Sequence, residues 1–305
     1  MSNSAISDIE TNSIKFLVFS LFKNKLKILI DTHAISRLGE NTFKTGKITM
    51  NAISRNVSEL RKFKKIAQTY NVKKIIVVGT MCLRAAKNSN IFVKEVYDKL
   101  ALSIKILKGE EEARLSYLAA LSNLPSNAQN IMVFDTGGGS TELIFGNKNE
   151  LENIVSLNIG AVHLTEKFLR SDPVKNKELQ NSLKNANVNF KKHLEDKNVN
   201  NLIGIGGTVT TLAAIKHKMK KYDATKIEGT QLSRSDLDKS IKMFQRRSIE
   251  ERKKIPGLEP RRADVILAGA VIVKTILGIL NEESFSITNK GLRHGIMYDF
   301  ISNLK

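Results

Sequence analysis

The chain has 305 residues, with 49 Lys and Arg against 30 Asp and Glu and a formal net charge of +19. That length holds two ordinary domains, and one cysteine (Cys82) with five scattered histidines excludes an internal disulfide and zinc-ligand spacing. The charge attracts polyanions, but with no Trp, 6% aromatics and no nucleic-acid-binding motif, nucleic acid is not the expected partner; a polyanion lacking bases fits at least as well.

The single cysteine leads to the expectation of a reduced, cytoplasmic setting, and residues 1–15 have no basic region leading into an apolar core, so no signal peptide is expected. The segment SNSAIS before Asp8 is less apolar than a central strand should be. Strands are predicted at 14–19 and 26–30, then a helix over about 49–70, a strand at 74–78, a helix after Thr80, a strand at 104–107 and a helix from Glu110. Pro, Ser and Asn cluster at 121–130 and mark a boundary, giving domains 1–124 and 125–305. Strands follow at 131–134, 141–145 and 154–157, a helix from about Ala161, a strand at 202–205 and a helix from Thr208. The apolar stretch 265–280 is interrupted by Lys274 and falls short of the roughly 20 residues a bilayer requires, so it reads as a buried helix and no membrane partner is expected. A last strand at 285–288 leads to a helix from Gly291.

The two halves repeat one another. Laying residues 7–19 over 134–146 pairs Asp8 with Asp135 and Ser13 with Ser140, an offset of 127, and places Glu10 opposite Gly137. Gly79 and Thr80 match Gly207 and Thr208 at nearly the same offset, 128. The repeat predicts an α/β protein of two similar lobes, mixed sheets flanked by helices, with a ligand in the cleft between them.

Chemistry-bearing residues cluster in the loops of this plan. In VFDTGGGSTELIFG (133–146), three glycines join two strand-like runs, which excludes Walker A and dinucleotide loops because both open helices. What remains is a nest of backbone N–H groups at Gly137, Gly138 and Gly139, helped by the Ser140 and Thr141 hydroxyls, suited to an anion. Asp135 and Glu142 beside an anion call for a cation such as Mg²⁺ between them. A plain glycine hairpin with Asp135 as a turn residue accounts for the same stretch. GIGGTVTTLAAI (204–215) ends a strand and opens a helix, offering either an anion site at Gly206, Gly207 and Thr208 or ordinary punctuation. Glu110, Glu111 and Glu112 stand where a helix begins, as helix-starting charge or as a source of a general base. Arg84 suits bidentate phosphate contact or a surface charge.

Taken together, DIETNSIKFLV, VVGTMCLRAAKN, LKGEEEARL, DTGGGSTELIFG, NIGAVHLTEKF, GIGGTVTTLA, LEPRRADVILAGAVIV and GLRHG resemble the exopolyphosphatase and guanosine pentaphosphate phosphohydrolase family, in order and nearly end to end. The resemblance implies actin-like (ribonuclease H-like) lobes and Mg²⁺- or Mn²⁺-dependent hydrolysis of a terminal phosphoanhydride in inorganic polyphosphate or guanosine pentaphosphate. It implies Glu112 as the base and Arg84 as the phosphate-binding arginine, with Asp8, Asp135 and Glu142 as metal-associated acids. Thr11, Asn12, Ser13, Gly137 to Thr141, and Gly206 to Thr208 fall on its phosphate loops. A homodimer is compatible with this pattern. Longer members carry a further helical domain that this sequence does not contain. The departure is Glu10, where the family has glycine: a carboxylate in a phosphate cradle repels substrate, and a binding or regulatory protein with weak or no turnover is the alternative. A nucleic-acid binder and a kinase are more distant readings.

Overall fold

The serine-rich segment before Asp8 forms β1 (Ser2–Ile9), the middle strand of a five-stranded sheet in the computed structural model, which describes residues 2–23, 25–125 and 127–303. Low apolar content does not keep it out of the interior: Ala5, Ile6 and Asp8 are fully buried, and Ser4 and Ser7 nearly so. Small side chains suit a strand covered on both faces, where packing leaves little room. On one side β1 pairs antiparallel with β2 (Ser13–Phe22), and β2 with β3 (Lys25–Ile35). On the other it pairs parallel with β4 (Val72–Gly79), which pairs parallel with β5 (Ile104–Ile106).

Helix α1 (Met50–Thr69) starts where the Thr49 side chain accepts from the Ala52 N–H. Its face of Ala52, Ile53, Val57, Leu60, Phe63 and Ala67 recurs every three or four residues and is buried, with Phe63 stacked on Phe16 of β2 at 4.8 Å between centroids. Helices α2 (Met81–Ala85), α3 (Ser89–Leu100) and α4 (Gly109–Ala120) follow; contacts divide the chain after Leu115, inside α4.

The second unit, Ser116–Gly291, holds β6 (Ile131–Thr136), β7 (Thr141–Gly146), β8 (Leu151–Leu157), β9 (Asn201–Ile205), β10 (Gln231–Ser233) and β11 (Ser284–Ile287). Their order, β10-β11-β9-β6-β7-β8, repeats the first sheet's β5-β4-β1-β2-β3 with β10 added at the edge, so the mixed α/β architecture expected from the repeat is present. Helices α5 (Ala161–Phe168), α6 (Asn176–Leu194), α7 (Gly206–Lys216), α8 (Arg234–Gln245) and α9 (Ile266–Leu280) flank it. The apolar stretch around 265–280 is α9, buried and packed against α6 and α8. Among the described residues no helix is long and apolar enough to cross a membrane.

Helix α10 (Leu292–Ser302) departs from the boundary expected at 124: it packs on β1 and β2, so the first unit is discontinuous. Ser126, within the boundary stretch, lies outside the described residues. The cause is apolar, since Leu292, Ile296 and Met297 complete a cluster with Ile6, Leu17, Phe19, Val78, Leu107 and Leu115. An ion pair adds direction: Arg293 donates from Nε and Nη2 to Asp31 of β3 at 2.6 and 2.9 Å, and His294 Nε2 lies 3.2 Å from the same carboxylate.

Burial pushes the Asp31 carboxyl up, but the hydrogen bond from His294 and the charge of Arg293 outweigh it and hold the group well below the usual carboxylate range. A carboxyl depressed by folding stabilises the fold above its unfolded pKa of about 4 and loses that contribution as pH falls through the folded value. Asp31→Asn should therefore lower stability by about 2 kcal/mol or more at pH 7. In urea titrations the gap to wild type should close as pH is lowered from 6 towards 2.

Candidate active site

In the first unit, the functional side chains gather where β1 ends. Asp8 is fully buried, and neither carboxylate oxygen has a hydrogen-bond partner. Burial foremost, then the charge of Glu10, pushes its carboxyl well above the usual range, against the opposing pull of Lys15. Asn12 is also buried, and its Nδ2 has no hydrogen-bond partner. The loop between them is pinned from behind: Gly39 N–H donates to the Thr11 carbonyl at 2.9 Å, and Ser36 and Arg37 N–H to the Asn12 carbonyl at 3.0 Å. A carboxylate lacking donors and an amide lacking an acceptor, a few residues apart, fit a cation and an anion respectively.

Glu10 turns to its own loop. Ser13 Oγ donates to Glu10 Oε2 at 2.8 Å, and Lys15 Nζ to Oε1 at 2.5 Å, with the Lys15 side chain only 8% exposed. The carboxylate that sequence reading took as a source of repulsion is thus neutralised locally. Lys15 received no role in that reading; its position opposite Asp8 is visible only in the strand register.

Arg84 and Glu112 are brought together, although 28 residues separate them. β5 runs beside β4, so α2 and the first turn of α4 begin at the same sheet edge. Arg84 Nη1 donates to Glu112 Oε2 at 2.6 Å and to the Leu107 carbonyl at 2.9 Å. The guanidinium fixes the carboxylate's orientation.

In the second unit, β6 and β7 form the hairpin read from the sequence, and their register sets Asp135 directly opposite Glu142. Opposed residues of an antiparallel pair share a face with Cβ atoms about 5 Å apart, and like charges so placed repel unless a counter-charge accompanies them. Glu142 is buried and accepts from Ser156 Oγ at 3.1 Å. The turn closes through Gly137 N–H to the Ser140 carbonyl at 3.0 Å. Its carbonyl edge is committed to α5, where Ala161 N–H donates to Gly137 at 2.9 Å and Val162 N–H to Gly138 at 2.8 Å. A Cβ on Gly160 would stand 2.5 Å from the Gly138 carbonyl carbon, so this contact tolerates only glycine.

The Thr141 hydroxyl, which the sequence offered to an anion, and that of Thr208, on the second expected anion loop, both bond to backbone. Thr141 Oγ1 donates to the Ile159 carbonyl at 2.6 Å, and Thr208 Oγ1 to the Thr136 carbonyl at 2.8 Å. Both brace the loops. Gly206 holds φ at +86°, and a Cβ there would overlap Asp135 Oδ1, so the acid lies against the first turn of α7 and its partial positive charge. Beside it stands Arg262, which sequence reasoning passed over: a Cβ on Gly207 would lie 2.6 Å from its Nη1. Among the described residues no group of three or more His, Cys, Asp or Glu has metal-holding geometry; Asp135 and Glu142 are a pair.

The description of the Ppx/GppA phosphatase family matches residues 17–304. A bifunctional 3-dehydroquinate synthase/phosphatase of Fusobacterium nucleatum subsp. nucleatum is 32% identical over 97% of this chain, which spans 46%, about half, of that protein. Exopolyphosphatase 2 of Mycobacterium tuberculosis is 29% identical, covering 92% of this chain and 91% of its own. The crystal structure of the Aquifex aeolicus member of the Ppx/GppA family superposes with a TM-score of 0.82 at 31% identity, over 100% of this chain and 99% of that one. The chain belongs to the Ppx/GppA phosphatase family, with the actin-like fold class its sequence implied.

If the Thr208 hydroxyl is a brace, Thr208→Val leaves the buried Thr136 carbonyl short of a donor and should cost about 1–2 kcal/mol in urea unfolding, while Thr208→Ser stays near wild type. Equal stability of the valine variant would return that hydroxyl to ligand binding.

Proposed function

We propose that this protein is a divalent-cation-dependent phosphohydrolase that releases the terminal phosphate of inorganic polyphosphate, with guanosine pentaphosphate as a second substrate. The observation that carries this reading is the pair of unsatisfied groups at the first loop, Asp8 and Asn12: a cation and a phosphate oxygen supply what each lacks. The names of the relatives, exopolyphosphatase and phosphatase, support the same chemistry.

Phosphoryl transfer asks for positioning and neutralisation more than for covalent chemistry. Mg²⁺ or Mn²⁺, held by Asp135 and Glu142 of the second unit, would neutralise charge developing on the phosphate oxygens, and in the first unit Asp8 is the acid suited to a cation. Among the described residues there is no complete cage for the ion, so its remaining ligands would be substrate and water. The glycine turn at Gly137 to Ser140 and the first turn of α7 at Gly206 and Gly207 present backbone N–H groups without side-chain bulk. Arg262 adds a guanidinium beside Gly207. Arg84 holds Glu112 so that its carboxylate orients the attacking water and accepts its proton. The net charge of +19 draws a polyanion from a distance. The binding-only alternative rested on repulsion by Glu10, and pairing of that carboxylate with Lys15 and Ser13 weighs against it.

Phosphate release from tripolyphosphate and longer chains should require Mg²⁺ or Mn²⁺ and stop on chelation. Glu112→Gln should lower kcat on the order of 10²- to 10⁴-fold. Turnover equal to wild type would remove Glu112 from the base role, and release undiminished by chelation would remove the cation.

A further inference from the structure

Overlaying the halves at an offset of 127 residues puts Asp8 on Asp135, Lys15 on Glu142 and Glu10 on Gly137. The strand registers agree, since Asp8 faces Lys15 across β1 and β2 as Asp135 faces Glu142 across β6 and β7. The second unit thus has two acids in register and a glycine at the tip. The first has an acid facing a lysine, and a second acid at the tip.

Directly opposed residues on antiparallel strands stand about 5 Å apart at Cβ on one face, within easy reach of a lysine's four-carbon stem. Lys15 nevertheless makes no hydrogen bond to Asp8, whose oxygens have none at all. Its ammonium is drawn to Glu10 Oε1 at 2.5 Å, while Ser13 Oγ holds Oε2 at 2.8 Å. With glycine at position 10, the carboxylate facing Lys15 in this register would be Asp8, and an Asp8–Lys15 pair carries no net charge with which to attract a cation. With Glu10 present the ammonium is engaged by the carboxylate at the tip, and the Asp8 oxygens are left without a hydrogen-bond partner.

We propose that Glu10 is a positioning residue: by binding Lys15 it keeps the ammonium off the Asp8 carboxylate and leaves those oxygens open to a divalent cation. The inference rests on the cation-dependent reading above and gives Glu10 a constructive part in it. Glu10 acts through Lys15 and is not itself a ligand of the ion.

The test is Mn²⁺ binding to the full-length protein, followed by electron paramagnetic resonance without substrate, with folding of each variant checked by circular dichroism. Glu10→Gln should weaken binding at least tenfold, because Lys15 then turns to Asp8. Glu10→Asp, which keeps the charge, should largely retain affinity. Adding Lys15→Met to Glu10→Gln should restore binding to within about threefold of wild type, and in an Asp8→Asn background Glu10→Gln should change nothing. If Glu10→Gln does not fold, Lys15→Met alone decides: it should bind Mn²⁺ at least as tightly as wild type, and tenfold weaker binding overturns the proposal. Wild-type affinity in Glu10→Gln also overturns it. So does a double variant as weak as the single one, which would make Glu10 a ligand. A wild-type protein that binds no Mn²⁺ removes the cation reading itself and the inference with it.

Discussion

Strand register is the constraint on which the functional chemistry of this molecule depends. In each unit an antiparallel pair, β1 with β2 and β6 with β7, decides which side chains stand face to face at the end nearest the loop that joins the two strands. The period of a strand is two, so a slip of one residue would carry Asp135 and Glu142 out of opposition and turn the hydrophobic set outward. The core prevents this: Phe134, Leu143 and Ile144 are fully buried in the second unit, as are Ile6, Phe16 and Leu17 in the first. Apolar burial thus fixes acids in an arrangement that their own repulsion would otherwise open.

The two units use that register differently. Unit two places acid opposite acid and brings Gly206 and Gly207 close behind, between the Asp135 carboxylate and the Arg262 guanidinium. Unit one places acid opposite lysine and corrects the charge with a glutamate from the loop. The strand order shared by the two units therefore does not impose a shared charge pattern. Hydroxyls serve the loops in the second unit, where Thr141 and Thr208 tie them to backbone carbonyls.

Much of this was legible before any coordinates. Runs of β-branched and aromatic residues marked β2, β4, β6, β7 and β9, and the glycines between two such runs marked the β6–β7 hairpin that sets Asp135 opposite Glu142. β1 was doubted because hydropathy scores serine as polar, whereas a strand sandwiched on both faces selects for size. Helix α6 was passed over because Lys and Asn dominate its sequence, although Leu179, Ala186, Phe190 and Leu194 keep one narrow face apolar. The partners of Glu10 and Arg84 could not be read: a residue five positions away in a neighbouring strand and one 28 positions away on another helix meet only through register and sheet edge. The fate of the Thr141 and Thr208 hydroxyls was hidden for a similar reason, since a carbonyl acceptor leaves no mark in side-chain composition.

The return of α10 to the first sheet has a consequence for synthesis. Translation delivers all five strands of the first sheet before the second unit, yet the residues that cover β1 and β2 and clamp Asp31 follow that whole unit in the chain. The second unit, contiguous from Ser116 to Gly291, has every strand in hand before then. Nascent chains generally fold in the order they emerge; here the first sheet is begun before the second unit and completed only after it.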